Sequence, residues 1–320
     1  MTDHIPWIEK YRPTNINNIL LDDISMKKLQ KIINEKDMPN MIISGNPGIG
    51  KTTTIKCIAR ALYGKNMNDV VLELNASDDR GIKIVQETIM NFCKKKIDDQ
   101  HNHKLIILDE ADNMTEKALT QINSLMEKYY NKTRFAFTCN QSEDIIESIQ
   151  SKCVNMKYGI IPKETIAKRL NYICTKENVS CDLKTLETIA QISQGDIRNA
   201  INTLQYAFTF YGKEKITEDN IYLICDKPQP VLIKEVLSAC LKKDIKSAIN
   251  KVYKLKELGF SEQDITLGMI NYLRYCNDIK EIQKNLFLDK ICMTTFIISK
   301  GLGSMIQITG CIAQMIQCVK

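Results

Sequence analysis

A glycine-rich stretch near the start of the chain has the residue types and spacing of a phosphate-binding loop. It comprises Gly45-Asn46-Pro47-Gly48-Ile49-Gly50-Lys51-Thr52 and is followed by Thr53, and it fits G-x-x-x-x-G-K-[ST] at every fixed position. The glycines allow a curled backbone whose N–H groups point at phosphate oxygens, and the lysine reaches the β- and γ-phosphates. Since the threonine hydroxyl suits Mg²⁺, the motif predicts a nucleoside triphosphate site with this cation.

Two adjacent carboxylates, Asp109 and Glu110, directly follow the apolar run Leu105-Ile106-Ile107-Leu108. Asp109 would hold Mg²⁺, directly or through water, and Glu110 would orient the attacking water and accept its proton. Acids that merely keep a loop soluble are the alternative, which the phosphate loop upstream disfavours. Asn140 ends another apolar run, either as a turn former or as a ligand for the attacking water or a γ-phosphate oxygen.

Alternating strand and helix patterns place these groups at the tips of buried strands. The predicted strands are 41–44, 70–74, 104–108 and 134–139, and the predicted helices are 53–62, 82–97, 115–130 and 145–149. This order is typical of a parallel sheet flanked by helices, an α/β fold. From residue 163 onwards the periodicity is helical only, and Asp226-Lys227-Pro228-Gln229-Pro230 has the composition of a linker. We therefore expect domains at 1–162, 163–226 and 227–320.

The composition narrows the class of protein. The net charge of +6 is compatible with a nucleic-acid partner but does not demonstrate one. The 12 cysteines include no C-x-x-C pair, and only three histidines accompany them, which predicts reduced cysteines in an intracellular protein rather than a zinc site. The first residues lack the pattern of a signal peptide, and no run of about 18 apolar residues predicts a membrane span.

Two further segments allow a structural and a functional interpretation. Tyr11, Arg12 and Pro13 follow Trp7, the one tryptophan, and form either a packing arm or a wall against the base of a nucleotide. The helix predicted from residue 82 carries a basic face, which is either solvated or in contact with phosphates. That face contains Lys83, Lys94, Lys95 and Lys96.

The chain resembles the small subunits of replication factor C, the sliding-clamp loader of the AAA+ ATPases. The resemblance rests on PWIEKYRP at 6–13, GNPGIGKTT at 45–53, LELNASDDRGI at 72–82 and LIILDEAD at 105–112. Shorter matches extend it to about residue 205. It implies an AAA+ P-loop core, an all-helical lid at 163–226 and an all-helical collar for oligomerisation at 227–320, although the collar is assigned by length and helicity alone.

The resemblance also implies roles for individual residues. Asn140 matches the first sensor, which positions water with Glu110, and Arg198 matches the second sensor, a lid arginine that touches the γ-phosphate. The segment Tyr11-Arg12-Pro13 matches an arm that borders the adenine. Arg80 and Lys83 match positions that face the DNA backbone, where contacts carry no sequence information.

The chain departs from the family at two positions that would act on a neighbouring subunit. In the family, S-R-C supplies an arginine finger to the ATP of the neighbour, whereas this chain has Lys152. A lysine lacks the planar fork of arginine, so the exchange is not conservative at a phosphate. Asn123 and Ser124 replace a pair of arginines before Met126 and Glu127. We expect a subunit that hydrolyses its own ATP but assists its neighbour poorly.

The resemblance implies an ATPase subunit of a hetero-pentameric clamp loader. It would bind ATP and Mg²⁺, act on a sliding clamp and primer–template DNA, and reside in the nucleus if eukaryotic and otherwise in the cytoplasm. A helicase is an alternative because Asp-Glu-Ala-Asp occurs there too, but no second RecA-like half is present. An idle scaffold that only binds ATP is disfavoured by the intact Lys51, Thr52, Asp109 and Glu110. A protein-unfolding AAA+ machine would need an aromatic pore loop, and we find none between Asn75 and Ile97.

Overall fold

The computed structural model describes residues 5–76, 82–95, 103–212, 214–276 and 278–319. Its strands are β1 Met41–Ser44, β2 Val71–Asn75, β3 Lys104–Asp109, β4 Thr133–Cys139 and β5 Val154–Lys157. The helices that precede or alternate with them are α1 Trp7–Lys10, α2 Asp23–Glu35, α3 Lys51–Tyr63, α4 Met67–Val70, α5 Ile82–Lys94, α6 Glu116–Lys128 and α7 Glu147–Gln150. The later helices are α8 Lys163–Glu177, α9 Leu183–Ser193, α10 Ile197–Tyr211, α11 Glu218–Ile224, α12 Pro230–Leu241, α13 Ile245–Glu257, α14 Glu262–Tyr275, α15 Glu281–Ser299 and α16 Met305–Gln317.

The five strands form one parallel sheet in the order β2-β3-β4-β1-β5. Its register pairs Ser44 with Cys139, and Leu108 with Phe137. The carboxyl ends of β1, β3 and β4 therefore lie side by side, and the polar residues that follow these strands meet at one edge. The predicted α/β fold with a parallel sheet is confirmed.

Two helices that flank the sheet begin at residues whose side chains satisfy free backbone donors. Asp22 accepts the backbone N–H of Ser25 at the start of α2, and Thr115 accepts that of Ala118 at the start of α6. Both helices then pack apolar residues inwards, as Leu29 and Leu119 show by being almost fully buried. Helix α6 begins six residues after Glu110 and packs on the sheet core that ends at the acid pair.

The short elements α1, α4 and β5 were not predicted, and several boundaries differ by one to three residues. The four-residue strand β5 exposes Val154, Asn155 and Lys157 and buries only Met156, because it is an edge strand paired with β1 alone. The arm begins with the helix Trp7–Lys10. The predicted helix 82–97 is observed to Lys94, and its last two predicted residues lie outside the described part of the chain.

The chain divides into two compact units, Met1–Thr209 and Phe210–Lys320. The first contains the sheet and the helices α8 and α9, whose Leu170 and Leu186 are fully buried. The second is all-helical, with a core that includes Val236, Val252 and Phe287. The three-domain division at 162 and 226 stays a prediction. Within the described ranges, no helix has the length and apolar character needed to cross a membrane.

Candidate nucleotide-binding site

The phosphate loop leaves β1 and turns into α3 with a backbone that only glycine adopts readily. Gly45, Gly48 and Gly50 have φ values of 148°, 71° and 93°. Asn46, Pro47 and Ile49 lie between them, and α3 begins at Lys51. The predicted strand–loop–helix context of the motif is therefore present, and the amino end of α3 adds the positive end of a helix dipole to the loop.

The ammonium group of Lys51 lies over the loop and reaches the neighbouring strand. Its Nζ donates to the carbonyl oxygens of Gly45 (2.7 Å) and Asn46 (3.0 Å) and to Oδ1 of Asn140 (3.0 Å). Burial lowers the pKa of Lys51, and the negative charges of Asp112 and Asp109 act in the opposite direction. The lysine charge thus sits between the phosphate loop and the end of β4.

The hydroxyl of Thr52 and the carboxylate of Asp109 form one cluster of hard oxygen donors. Thr52 Oγ1 donates to Asp109 Oδ1 over 2.7 Å, and Thr138 Oγ1 donates to the same oxygen. Oxygen ligands suit Mg²⁺, which commonly uses one or two protein ligands together with water and substrate phosphates. Among the described residues no group of three or more His, Cys, Asp or Glu could hold a metal by itself. The pair fits a cation shared with a nucleotide.

The residues after Asp109 turn sharply away from the strand direction. Glu110 has φ 54° and ψ 43°, and its backbone N–H donates to Thr138 Oγ1 over 3.1 Å. Its Oε2 accepts a long bond of 3.4 Å from Asn113 Nδ2. Glu110 is exposed and borders the same cavity as Lys51 and Thr52.

Asn140 follows the last residue of β4 and is held on two sides. Its backbone N–H donates to Asp112 Oδ2 over 2.9 Å, while its side-chain oxygen accepts from Lys51. Asp112 therefore connects the turn after β3 to the end of β4. The sequence interpretation of Asn140 as a mere turn former gives no account of this contact with Lys51.

The lid contributes Arg198 and Asp196, which lie at the start of α10. Asp196 Oδ1 accepts the backbone N–H of Asn199 over 2.9 Å and so caps the helix. Arg198 borders the cavity from the first turn of α10. It therefore lines the same cavity as Lys51, and its positive charge contributes to the lowered pKa of that lysine.

The arm also borders the cavity and is itself held by α8. The Tyr11 hydroxyl donates to Glu177 Oε1 over 2.5 Å, and Arg169 Nη2 donates to the Tyr11 carbonyl over 2.8 Å. Lys10 Nζ lies 2.6 Å from the same Glu177 oxygen. Burial, followed by the bond to Glu177, raises the pKa of Tyr11, so the phenol stays protonated.

These groups surround one cavity of about 280 Å³. It brings together most of the residues predicted from the sequence to bind or act on a nucleotide. They are Tyr11, Arg12, Pro13, Pro47, Gly48, Ile49, Gly50, Lys51, Thr52, Thr53, Asp109, Glu110, Asn140 and Arg198. Gly45 and Asn46 take part through the carbonyl groups that Lys51 contacts.

Of the remaining three predicted site residues, Lys152 does not border the cavity, and the other two cannot be compared with it. Lys152 lies just before β5, where its Nζ donates to Asn123 Oδ1 over 2.6 Å and to Glu127 Oε1, both on α6. Arg80 and the side chain of Lys83 lie outside the described residues. The role of all three stays a prediction.

Sequence reasoning missed Thr138, Asp112 and Arg169 as members of the site. Thr138 lies two residues before Asn140, and strand periodicity would have placed the two on one face. Asp112 ends the stretch LIILDEAD, whose strand-and-acid-pair pattern predicts a role only for Asp109 and Glu110. Arg169 borders the cavity from a lid helix, and no sequence signal distinguishes it from the other basic residues of that helix.

Three family models match consecutive parts of the chain. The model described as ATPase family associated with various cellular activities matches residues 41–159. An RCF1/5-like AAA+ ATPase lid domain matches residues 168–209. A replication factor C C-terminal domain matches residues 228–314.

Relatives from different lineages match nearly the whole chain. A protein of Acanthamoeba polyphaga mimivirus, provisionally named as a replication factor C small subunit, is 40% identical over 99% of this chain and 98% of its own. Replication factor C subunit 4 of Schizosaccharomyces pombe is 39% identical over 97% of this chain and 91% of its own. The replication factor C small subunit of Methanococcus vannielii is 33% identical, with 97% and 98% covered.

Solved structures support the same fold at lower identity. The Thermotoga maritima RuvB Holliday junction branch migration motor matches with a TM-score of 0.56 and 14% identity, covering 71% of this chain and 78% of that one. At this identity the match concerns the fold alone.

Proposed function

The chain belongs to the replication factor C small subunits, and we propose that it is a clamp-loader subunit that opens a DNA sliding clamp and loads it at primer–template junctions. It is an AAA+ ATPase that functions in DNA replication within a complex of replication factor C subunits. Three family models in the expected order and full-length relatives support this proposal.

One observation carries the catalytic part of the proposal. A single cavity is bordered by the phosphate loop, the acid pair, the Asn140 side chain and the lid arginine Arg198. Phosphate binding, a proton acceptor and a γ-phosphate sensor are the parts that nucleotide hydrolysis needs, and positioning them together is most of the catalysis. We assign ATP as the nucleotide.

The chain's own residues divide the chemistry between them. Lys51 and the amino end of α3 hold the β- and γ-phosphates, and Thr52 and Asp109 would hold Mg²⁺, which neutralises charge on the phosphate oxygens. Glu110 accepts a proton from the attacking water, and Asn140 keeps that water in line with the γ-phosphate. Arg198 stabilises the negative charge that develops on the transferred group.

The proposed partners follow from the family and from the basic groups before and on α5. The subunit takes its place in a hetero-pentamer, and ATP binding holds the assembly in the form that grips clamp and DNA. Arg80 and Lys83 would contact the DNA backbone, where contacts are independent of sequence. A eukaryotic complex of this kind would act in the nucleus, and another would act in the cytoplasm.

A test of this function compares ATPase activity of the purified chain alone and with its partner subunits, with and without primed DNA and clamp. We expect strong stimulation by DNA plus clamp and its loss in Lys51→Ala, because the phosphates lose their counter-charge. Lys65→Ala, an exposed lysine just after α3, is the matched control and should retain the stimulation.

Other outcomes would favour the alternative functions. Stimulation by DNA alone, with strand unwinding and no response to the clamp, would indicate a helicase. Tight ATP binding without turnover in any mixture would indicate a scaffold. Either result contradicts the proposal.

A further inference from the structure

The buried hydroxyl of Thr138 lies between the two acidic residues at the end of β3. Thr138 is on β4 and only 1% exposed. Its Oγ1 donates to Asp109 Oδ1 and accepts the backbone N–H of Glu110 over 3.1 Å. One side chain therefore contacts the proposed magnesium ligand and the backbone of the proposed proton acceptor.

The direction of both hydrogen bonds is fixed by the chemistry of the partners. A backbone N–H can only donate, and an ionised carboxylate can only accept. A hydroxyl has one hydrogen and two lone pairs, so it satisfies both neighbours at once. Serine could replace it in this function, whereas valine has the same shape but neither donor nor acceptor.

The backbone at Glu110 makes this contact important. Glu110 adopts the left-handed conformation with φ 54°, which is unfavourable for a residue with a β-carbon. The β3–β4 register runs as far as the Leu108–Phe137 pair, so the Glu110 amide lies beyond the strand pairing. The Thr138 hydroxyl supplies the missing acceptor and holds the amide in the turned conformation.

The same hydroxyl also sets the direction of the Asp109 carboxylate. Oδ1 of Asp109 accepts from Thr138 on one side and from Thr52 on the other. The carboxylate is thus oriented by the core strand β4 as well as by the first turn of α3. Without the hydrogen bond from Thr138, Thr52 would be the one described donor to Asp109 Oδ1.

We propose that Thr138 is a positioning residue for ATP hydrolysis: its hydroxyl aims Asp109 at Thr52 and holds Glu110 where its carboxylate meets the attacking water. The proposal rests on the roles given above to Asp109 and Glu110. Thr138 contacts neither phosphate nor water itself. It acts through the geometry of its two neighbours, so its loss should affect turnover more than nucleotide binding.

The test compares Thr138→Val and Thr138→Ser in the assembled complex with DNA and clamp. For Thr138→Val we expect kcat to fall roughly 10- to 100-fold, the cost of a small misplacement of catalytic groups, while the Kd for a fluorescent ATP analogue stays within about threefold. Thr138→Ser should restore kcat to within about threefold. The peptide containing Glu110 should exchange its amide hydrogens faster in Thr138→Val, because the Glu110 amide loses its hydrogen-bond acceptor.

Thr133→Val is the matched control, because Thr133 is equally buried on the same strand but at its opposite end. A kcat in Thr138→Val equal to that of Thr133→Val would overturn the proposal. So would a serine variant as slow as the valine variant, since the hydroxyl would then be irrelevant. Should Thr138→Val fail to fold, the Thr138→Ala and Thr138→Ser pair decides by the same criteria.

Glu110→Gln separates this proposal from the proposed function. Its turnover should be nearly abolished if Glu110 accepts the proton. Normal turnover in Glu110→Gln, together with a slow Thr138→Val, would overturn the role of Glu110 and with it the stated action of Thr138. A slow Glu110→Gln with a normal Thr138→Val would overturn only the action of Thr138.

Discussion

Gly48 is the residue at which the phosphate loop and the lid constrain one another. A β-carbon at position 48 would lie 1.8 Å from Asp196 Oδ1, far inside van der Waals contact. Asp196 cannot simply rotate away, because this oxygen caps α10 through the Asn199 amide. The glycine therefore allows the loop its positive φ and leaves room for the capped end of α10, the helix that carries Arg198.

We predict that Gly48→Ala impairs ATP binding and turnover more than its backbone strain explains. Gly212→Ala is the matched control, since Gly212 also has a positive φ of 62° but has open space around it. Each variant carries about 1–2 kcal/mol of left-handed strain, but only Gly48→Ala displaces the cap of α10. Thermal unfolding and the Kd for ATP should be measured on both. An equal Kd in the two variants would contradict a steric role for the lid contact.

Site residues that belong to a known motif could be predicted from the sequence, whereas residues that act through a neighbouring side chain could not. Lys51, Thr52, Asp109 and Glu110 have fixed spacing because each acts on the same nucleotide. Strand periodicity places Thr138 on the same face as Asn140, but its contacts with Asp109 and Glu110 depend on the register between β3 and β4. That register is a tertiary property, which no local pattern in the sequence encodes.

At the level of elements, the arm is fastened to the lid helix α8 rather than only to the sheet. Glu177, at the end of α8, receives both the Tyr11 hydroxyl and the Lys10 ammonium group. Burial alone would raise the pKa of Glu177, but these two hydrogen bonds outweigh it and hold the pKa below its ordinary value. The arm residues that border the cavity are thus tied to the lid.

We predict that Glu177→Ala raises the Kd and KM for ATP about three- to tenfold and leaves kcat nearly unchanged. The arm would lose two charge-assisted contacts while the catalytic groups keep their positions, which is the signature of lost uniform binding. Glu187→Ala, an exposed acid on the lid helix α9, is the control. A lowered kcat with an unchanged Kd would show that the arm serves catalysis rather than binding.

The contact of Glu177 with Tyr11 and Lys10 has a defined pH dependence. Because the folded-state pKa of Glu177 lies below its unfolded value, its stabilising effect is complete above the ordinary glutamate pKa and is lost as the pH falls through the folded value. The tie between arm and lid therefore holds at neutral pH and weakens only in acid.

Long, periodic elements were predicted well, and short ones at the edge were not. The buried strands β1, β3 and β4 have continuous apolar runs, which single them out in the sequence. Strand β5 has four residues and one buried side chain, so its identity depends on pairing with β1. Helix α1 has four residues and lies between Pro6 and Pro13, so it is too short to show a helical periodicity in the sequence.

At the scale of the whole molecule, Lys152 bears on how this subunit would work beside another. In this structure its ammonium group is held by Asn123 and Glu127 of its own chain. The replacement of the family's arginine and the pairing with Glu127 act in the same direction. The lysine lacks the planar fork of arginine, and Glu127 offsets its charge, so both would weaken a contact with a neighbour's ATP, as expected for a subunit at the end of an open ring.

The last prediction concerns restoring an arginine at position 152. In the assembled complex, Lys152→Arg should raise total ATPase if the neighbour's site uses this position, because a guanidinium group can bind a phosphate in two places. Arginine could also pair with Glu127, so Lys152→Arg combined with Glu127→Gln should give the larger increase. Arginine fingers contribute roughly 10³–10⁵ in rate in GTPases, so even a partial effect is measurable.

Lys157→Arg is the matched control, because Lys157 is an exposed lysine on the adjoining strand β5. It changes the same residue type without touching α6, so it should leave the ATPase rate unchanged. If neither Lys152→Arg nor the double variant exceeds it, Lys152 does not limit catalysis at this interface. The subunit would then occupy a position whose trans-acting side faces no ATP, and the substitution at 152 would be a consequence of that position rather than its cause.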